Sequence, residues 1–261
     1  MNSRFLLQCI SLTVFSCFST AFLAFGQSTD REIYELKIYH IDNAEQEEQI
    51  NTFLKNAYLP ALKRAGIPNV GVFKPIEKSP DHGKKIYVYI PYSSAAQLLE
   101  VPKTLEKDKR YYQAGKGYLN APHDHPPYSR IETILLQAFE GMPHFKANKI
   151  KGSDKIYELR SYEGPTEKLF RKKVEMFNKG EIEIFHRLGF NPMFFGEVIA
   201  GSKMPNLMYM TTHADKATKK AHWDAFRNDS EWEKMKVMEE YQHTVSHIDI
   251  VLLTPADYST L

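Results

Sequence analysis

Cysteine is nearly absent from this chain. Of its 261 residues only Cys9 and Cys17 carry a thiol, and both stand in the uncharged run over residues 5–25. Beyond that run, disulfides, thiolate nucleophiles, iron–sulfur clusters and Cys-bound zinc are excluded together. An excess of charge is missing too. The 34 basic residues face 32 acidic ones, which gives no electrostatic footing for nucleic acid, and none is expected as a partner. There is no glycine-rich phosphate loop, nucleophile elbow, HExxH pair or tract interleaving arginine with aromatics. Nucleotide-dependent, serine-hydrolase and zincin chemistries therefore lack their minimal parts, and no cofactor is expected.

Long apolar runs are limited to one. After a lone Arg4, residues 5–25 carry no charge and lead to Ala24 and Gly26, small residues three and one positions before a plausible cut. That is a secretory signal layout, so residues 1–26 are expected to be a cleaved signal peptide and the protein secreted or periplasmic. Gln8, Ser11, Ser16, Ser19 and Thr20 dilute the run and no basic cluster follows it; an uncleaved membrane anchor is the alternative. Lipid attachment at Cys17 is the weakest option, because Phe15 stands where a small residue is usual. No membrane span is expected in the mature chain.

What the sequence has in abundance is itself. EIYELKIY over residues 32–39 returns as KIYELRSY over residues 155–162. At the same offset, AGIPNVGVF from Ala65 falls on LGFNPMFFG from Leu188; two residues are then lost, and IYVY from Ile86 falls on LMYM from Leu207. TLEKDKRYY from Thr104 then meets AFRNDSEWE from Ala225, with Asp108 against Asp229, and Ile131-Glu132 meets Ile248-Asp249. Five blocks in one order point to an internal duplication. The halves are expected at residues 27–145 and 146–261.

Each half reads strand, helix, strand, strand, helix, strand. Strands are predicted over residues 32–40, 69–76, 85–92 and 130–139, then 155–162, 191–199, 207–212 and 247–253. The first helix of the second half is expected to start at Pro165, as an N1 residue, and to run through Phe170, Val174, Phe177 and Ile184 to Gly189. Its counterpart runs from an Asp42-Asn43 cap to Gly66, with a kink at Pro60. The second helices are expected from Ser94, interrupted at Pro102, and from Asp215, with a break near Asn228. This order is the ferredoxin-like split unit, an α+β fold with both helices on one face of an antiparallel sheet. Two such units in one chain can pack their bare faces together as an intramolecular dimeric α/β barrel. Strand alternation then separates Tyr157, Leu159 and Ser161 from Glu158, Arg160 and Tyr162, and the polar set is expected to line the inside.

Over YELRSYEGPTEKLFRKKVEMFNKGEIEIFHRLG, continuing FFGEVIAGSKMPNLMYM and WDAFRNDSEWEKM, the chain resembles the NIPSNAP family. The likeness covers residues 155–255 well and the first half loosely, as in a tandem-domain, secreted bacterial member. It implies a dimeric α/β-barrel fold but no settled reaction or cofactor. Residues 158–162, Gly196 and residues 229–232 match the family pattern. The first half departs from it, with Lys37 in place of the arginine and prolines in both helices, so a retained ligand site is expected in the second half.

Glu158, Arg160, Tyr162, Glu197 and Tyr209 are the candidate pocket for a small anionic or hydroxylated ligand, with Asn178 as an extra contact. Arginine offers a planar fork for a carboxylate and tyrosine a hydroxyl on an apolar body; alternating polar residues on a solvated strand face are the plainer explanation. Glu181 interrupts the apolar stripe Phe177, Ile184, Leu188, where a buried carboxylate must find a partner or take up a proton. A structural pair with Arg160 stands ahead of a catalytic base. His222 beside Trp223 is a second catalytic candidate, a base near the barrel mouth, against the default of a surface histidine. His123-Asp124-His125, with Asp81-His82 as remote company, is too short of donors for zinc, and no metal is expected. Two functions remain: an exported binding module for a small organic ligand or a partner, and a cofactor-light enzyme of monooxygenase or isomerase type acting in the cavity. A carboxyl held protonated near neutral pH would favour the second.

Overall fold

The computed structural model describes residues 30–147, 150 and 152–261; the expected leader lies outside them. The first half comprises β1 (Ile33–His40), α1 (Ala44–Phe53), a π-helical turn Leu54–Tyr58, α2 (Leu59–Arg64), β2 (Gly71–Pro75), β3 (Lys85–Tyr92), α3 (Ala95–Glu106), α4 (Lys109–Ala114), α5 (Lys116–Leu119) and β4 (Arg130–Ala138). The second half repeats the order. It has β5 (Ile156–Glu163), α6 (Glu167–Met176), a π-helical turn Phe177–Glu181, α7 (Ile182–Arg187), β6 (Pro192–Ala200), β7 (Asn206–His213), α8 (Lys216–Arg227), α9 (Ser230–Met235), a 3-10 turn Glu239–Tyr241 and β8 (His247–Pro255).

The strands order as β4-β1-β3-β2 in one half and β8-β5-β7-β6 in the other, and the two sheets close into one eight-stranded barrel. The second strand of each half pairs antiparallel with the fourth strand of the other. At one seam Phe73 lies opposite Pro255 and Pro75 opposite Leu253; at the other Gln137 lies opposite Glu197 and Ala138 opposite Gly196. The two halves therefore cover each other's sheet edges, which leaves no open ladder between them.

The duplication persists in local chemistry. Asp108 caps α4 and Asp229 caps α9, each accepting two backbone N–H groups of the following turn. Each is also gripped by an arginine from the first helical segment of its half, Arg64 at the end of α2 and Arg187 at the end of α7. The π-helical turns occupy equivalent positions. The irregularity expected at Pro60 thus belongs to both halves, since the second has no proline there, and Pro60 merely sits within the first turn of α2. Pro102 does not interrupt α3 either; the break falls at Asp108, where a side chain takes over the backbone donors. Pro165 lies outside its helix, whose cap is Thr166, with the hydroxyl accepting the Leu169 N–H.

Alternation along the strands sorts side chains into an apolar barrel interior and two layers between sheet and helices. Leu36, Leu136, Tyr157, Leu159, Met208, Met210 and Leu253 belong to the interior cluster, whereas Tyr162, Phe177, Phe185, Tyr209 and Trp223 pack under the helices of the second half. This reverses the expected orientation: the polar strand face looks toward the helices. An eight-stranded barrel has room for interdigitating side chains or one small ligand, while α6 and α8 bring charged and indole partners to the other face. One end of the interior is filled with rings, with Tyr89 stacked on Phe194 at 4.8 Å and Tyr34 5.4 Å from Tyr89.

Candidate functional site

Glu158 is the hub of the helix-side layer. It is fully buried in mid-strand on β5, and every group around it can donate. The Arg160 guanidinium reaches Oε1 at 2.9 and 2.8 Å, Trp223 Nε1 donates to Oε2 at 2.7 Å, and Lys219 Nζ stands 3.6 Å away. His213 Nε2 lies 3.4 Å from Oε2. Burial pushes the Glu158 carboxyl up, but His213, Arg160, Trp223 and Lys219 together outweigh it and hold the pKa at about 2. Arg160 also lies over the Trp223 ring at 3.8 Å and donates to the Tyr162 hydroxyl at 3.1 Å, which contacts the Tyr209 hydroxyl at 2.8 Å. Glu158, Arg160, Tyr162 and Tyr209 are thus brought together as expected. They form a filled network whose donors and acceptors are spent on one another.

His222 joins this layer from α8 rather than standing at the barrel mouth. Its Nδ1 faces Nδ1 of His213 at 2.9 Å, a contact that accommodates one proton between two rings. Burial, with the neighbouring His213, pushes the His222 pKa down. Glu181 pairs with Lys173 at 2.7 Å, both side chains buried, and not with Arg160; the lysine reaches across the π-helical turn and lies 4.6 Å from the Phe177 ring centre. Glu197 and Asn178 belong to neither group. Glu197 is held by Arg171 at 2.7 Å and Arg31 at 3.5 Å. The Asn178 carbonyl oxygen accepts the Gly141 N–H at 2.7 Å while its amide donates to the Val174 carbonyl.

The first half keeps a reduced version of the hub. Glu35, equivalent to Glu158, accepts from the Tyr92 hydroxyl at 2.9 Å and has Lys37 at 3.4 Å. Tyr92 occupies the register position of His213, opposite Ile33 as His213 is opposite Ile156. Sequence reasoning left out Lys173 and Lys219 and gave His213 and Trp223 no part in the site. The matched spacing of Tyr92 and His213 in the repeat was the available signal.

Open space lies elsewhere, at the end of the barrel where β1 and β5 finish. A cavity of about 380 Å³ is bounded by Ile38, Tyr87, Glu132 and Ile134 from the first half and by Leu159, Ser161, Asn206, Met208, Asp249 and Val251 from the second. Equivalent strand positions of the two halves meet here. Around the lip, Lys85 pairs with Asp81 at 3.0 Å, His40 with Glu132 at 2.6 Å, and Asp249 with both Lys203 at 2.5 Å and His247 at 3.1 Å. Deeper in, Ser161 and Asn206 bond to each other, with the amide nitrogen 2.8 Å from the hydroxyl.

Metal-capable groups also gather at this lip. Among the described residues Glu163, His247 and Asp249 place three ligand atoms within 4.8 Å of one another, but Asp249 is already engaged by Lys203. The His125 ring pairs with the neighbouring Asp124 in an exposed turn. No helix among the described residues is long and apolar enough to cross a membrane.

Comparison with solved structures matches this architecture over most of the chain. A candidate monooxygenase from Lactobacillus acidophilus superposes with TM-score 0.59 at 13% identity, covering 86% of this chain and 94% of its own. A second candidate monooxygenase, from Fusobacterium nucleatum, gives TM-score 0.56 at 8% identity, with 87% and 93% covered. At such identities the likeness is one of fold. A NIPSNAP family protein from Agrobacterium tumefaciens matches 41% of this chain and 98% of its own at 17% identity, with TM-score 0.37. No curated protein matches the chain in sequence. The NIPSNAP family matches residues 157–260, the stretch from β5 through β8 that holds the Glu158 hub and half of the cavity wall; the second half of the chain is a NIPSNAP domain.

Proposed function

We propose that this protein is an exported binding module that holds a small organic molecule in the mouth of its barrel. The observation that carries the reading is the cavity of about 380 Å³, a well of mixed apolar and polar lining with a charged lip, walled by both halves and large enough for a small ligand. Its walls come from the inner strand faces, so the site exists only where the two units are joined. A cofactor-light enzyme of monooxygenase or isomerase type has less support. Glu158 is held as an anion by its four donors, Glu181 is tied to Lys173, and neither faces the cavity.

Native and denaturing masses of the chain, prepared from its own export route, test this reading. The expected result is a non-covalent mass lost on denaturation and absent from a Leu159→Trp variant, whose indole would fill the well. Retention of that mass by the variant would place the occupant elsewhere. The denatured mass also reports whether cleavage follows Gly26.

A further inference from the structure

The mouth cavity has an unspent polar group at its wall. Tyr87 is only 4% exposed and lines the cavity, yet its hydroxyl has no hydrogen-bond partner among the described residues. It is not one of the sealed unpaired groups, which among the described residues are the hydroxyls of Tyr34, Tyr89 and Thr212; it meets the cavity, where a ligand atom can use it as donor or acceptor. Opposite it, Ser161 at 7% and Asn206 at 2% exposure bond only to each other. An amide has two donors and two acceptor sites, and a hydroxyl one and two; the pair therefore retains unused capacity toward the well.

The charges around the well are different, because each already has a bonded partner. Lys85 is matched by Asp81 and Lys203 by Asp249, while Glu132 is hydrogen-bonded by His40 and Asp249 also by His247. Among the described residues at the lip, a carboxylate entering the cavity would find no unpaired cation, and an ammonium only carboxylates already bonded to Lys85, His40, Lys203 or His247. Either would shed water without gaining a free partner. Burial, and then Asp81, Glu132 and Asp249, push the Tyr87 hydroxyl well above the ordinary tyrosine range, so it stays a neutral donor and acceptor.

Resting on the reading of the mouth as the binding site, we infer that its occupant is an uncharged, largely apolar ring compound with one hydroxyl or carbonyl oxygen, and that this oxygen is held between Tyr87 and the Ser161–Asn206 pair. The rings lie against Ile38, Ile134, Leu159 and Met208. Of the expected anionic or hydroxylated ligand this keeps the hydroxylated class and moves it away from Arg160, whose guanidinium is used up on Glu158 and Tyr162.

Three congeners of one shape test the inference on the full chain at pH 7: 2-naphthol, 2-naphthoate and 2-(aminomethyl)naphthalene, compared by calorimetry. The neutral naphthol is expected to bind at least about tenfold more tightly than either charged congener. Tyr87→Phe should weaken naphthol binding by about 3- to 10-fold while leaving the melting temperature unchanged or raised, since the lost hydroxyl has no partner in the protein. Tighter binding of a charged congener, abolished by Leu159→Trp, would overturn the ligand class and leave the mouth as the site. A destabilised Tyr87→Phe would show the hydroxyl already satisfied and also overturn the inference. Binding of none of the three, or binding untouched by Leu159→Trp, would overturn it together with the mouth reading.

Discussion

Replacing Glu158 with glutamine keeps the shape of the side chain and removes its charge. The change leaves Arg160 buried against Trp223 without its carboxylate, and Lys219 and the Trp223 N–H with a weaker acceptor. Breaking one partner of a buried ion pair costs about 3–5 kcal/mol. The pKa gives a second figure: a fall from 4.5 to about 2 corresponds to about 3 kcal/mol of preferential stabilisation of the anion. For a chain of this size the loss lowers the melting temperature by about 6–20 °C. The folded-state pKa lies below the unfolded one, so this stabilisation is complete above about pH 5 and is lost as the pH falls from there toward 2. Urea unfolding of wild type and Glu158→Gln at neutral pH and near pH 3.5 should show a gap that narrows in acid. Glu35→Gln is the internal control. With only the Tyr92 hydroxyl and a lysine at 3.4 Å, its cost should be about 1–2 kcal/mol. A Glu158→Gln cost under about 1 kcal/mol, or a gap independent of pH, would refute the reasoning.

Lys173→Met should destabilise by about 3–5 kcal/mol, because Glu181 stays buried and unpaired, and the double variant with Glu181→Leu should recover most of that loss in thermal melts. Gly196 sits at the β4–β6 seam, where a Cβ would lie 3.0 Å from Leu136 Cβ and 3.2 Å from the Gln137 carbonyl oxygen. Gly196→Val is expected to cost about 1–3 kcal/mol in denaturant unfolding, with Gly164→Ala, pressed on Phe170, as a comparison within one half. Residues 152–261 alone would expose Tyr157, Leu159, Met208 and Met210, so native mass or sedimentation should find the fragment self-associated. A cooperatively folded monomer would count against the fused barrel.

Much of the fold was legible because the duplication supplied a second copy of each signal. Asp108 and Asp229 fall on each other in the repeat, each two residues past a helix end, and both are caps. The strand order and the packing of two bare faces followed from the repeat. The side of the sheet did not. Alternation separates Tyr157 and Leu159 from Glu158 and Arg160 with certainty, but which set faces inward depends on what the helices deliver. Trp223 and Lys219 on α8 carry the donors that make the helix side the polar one. Glu181 shows the same limit: its stripe position announced burial, whereas its partner Lys173 lies on the same helix and is reached only because a π-helical turn intervenes. The mouth was missed because Tyr87, Ser161 and Asn206 belong to three different strands and read individually as ordinary inward residues.

The central claim is that the working space lies inside the barrel mouth and that the helix-side network is structural. Methionine methyl groups report on both places: Met208 lines the well, and Met176 lies in the helix layer, its sulfur 3.4 Å from Lys173 Nζ. Methyl NMR of the chain labelled at methionine, titrated with 2-naphthol to saturation, separates them. The account predicts a shift of the Met208 methyl with Met176 unmoved. A shifted Met176 with Met208 unchanged would contradict it and return the site to the Glu158 layer.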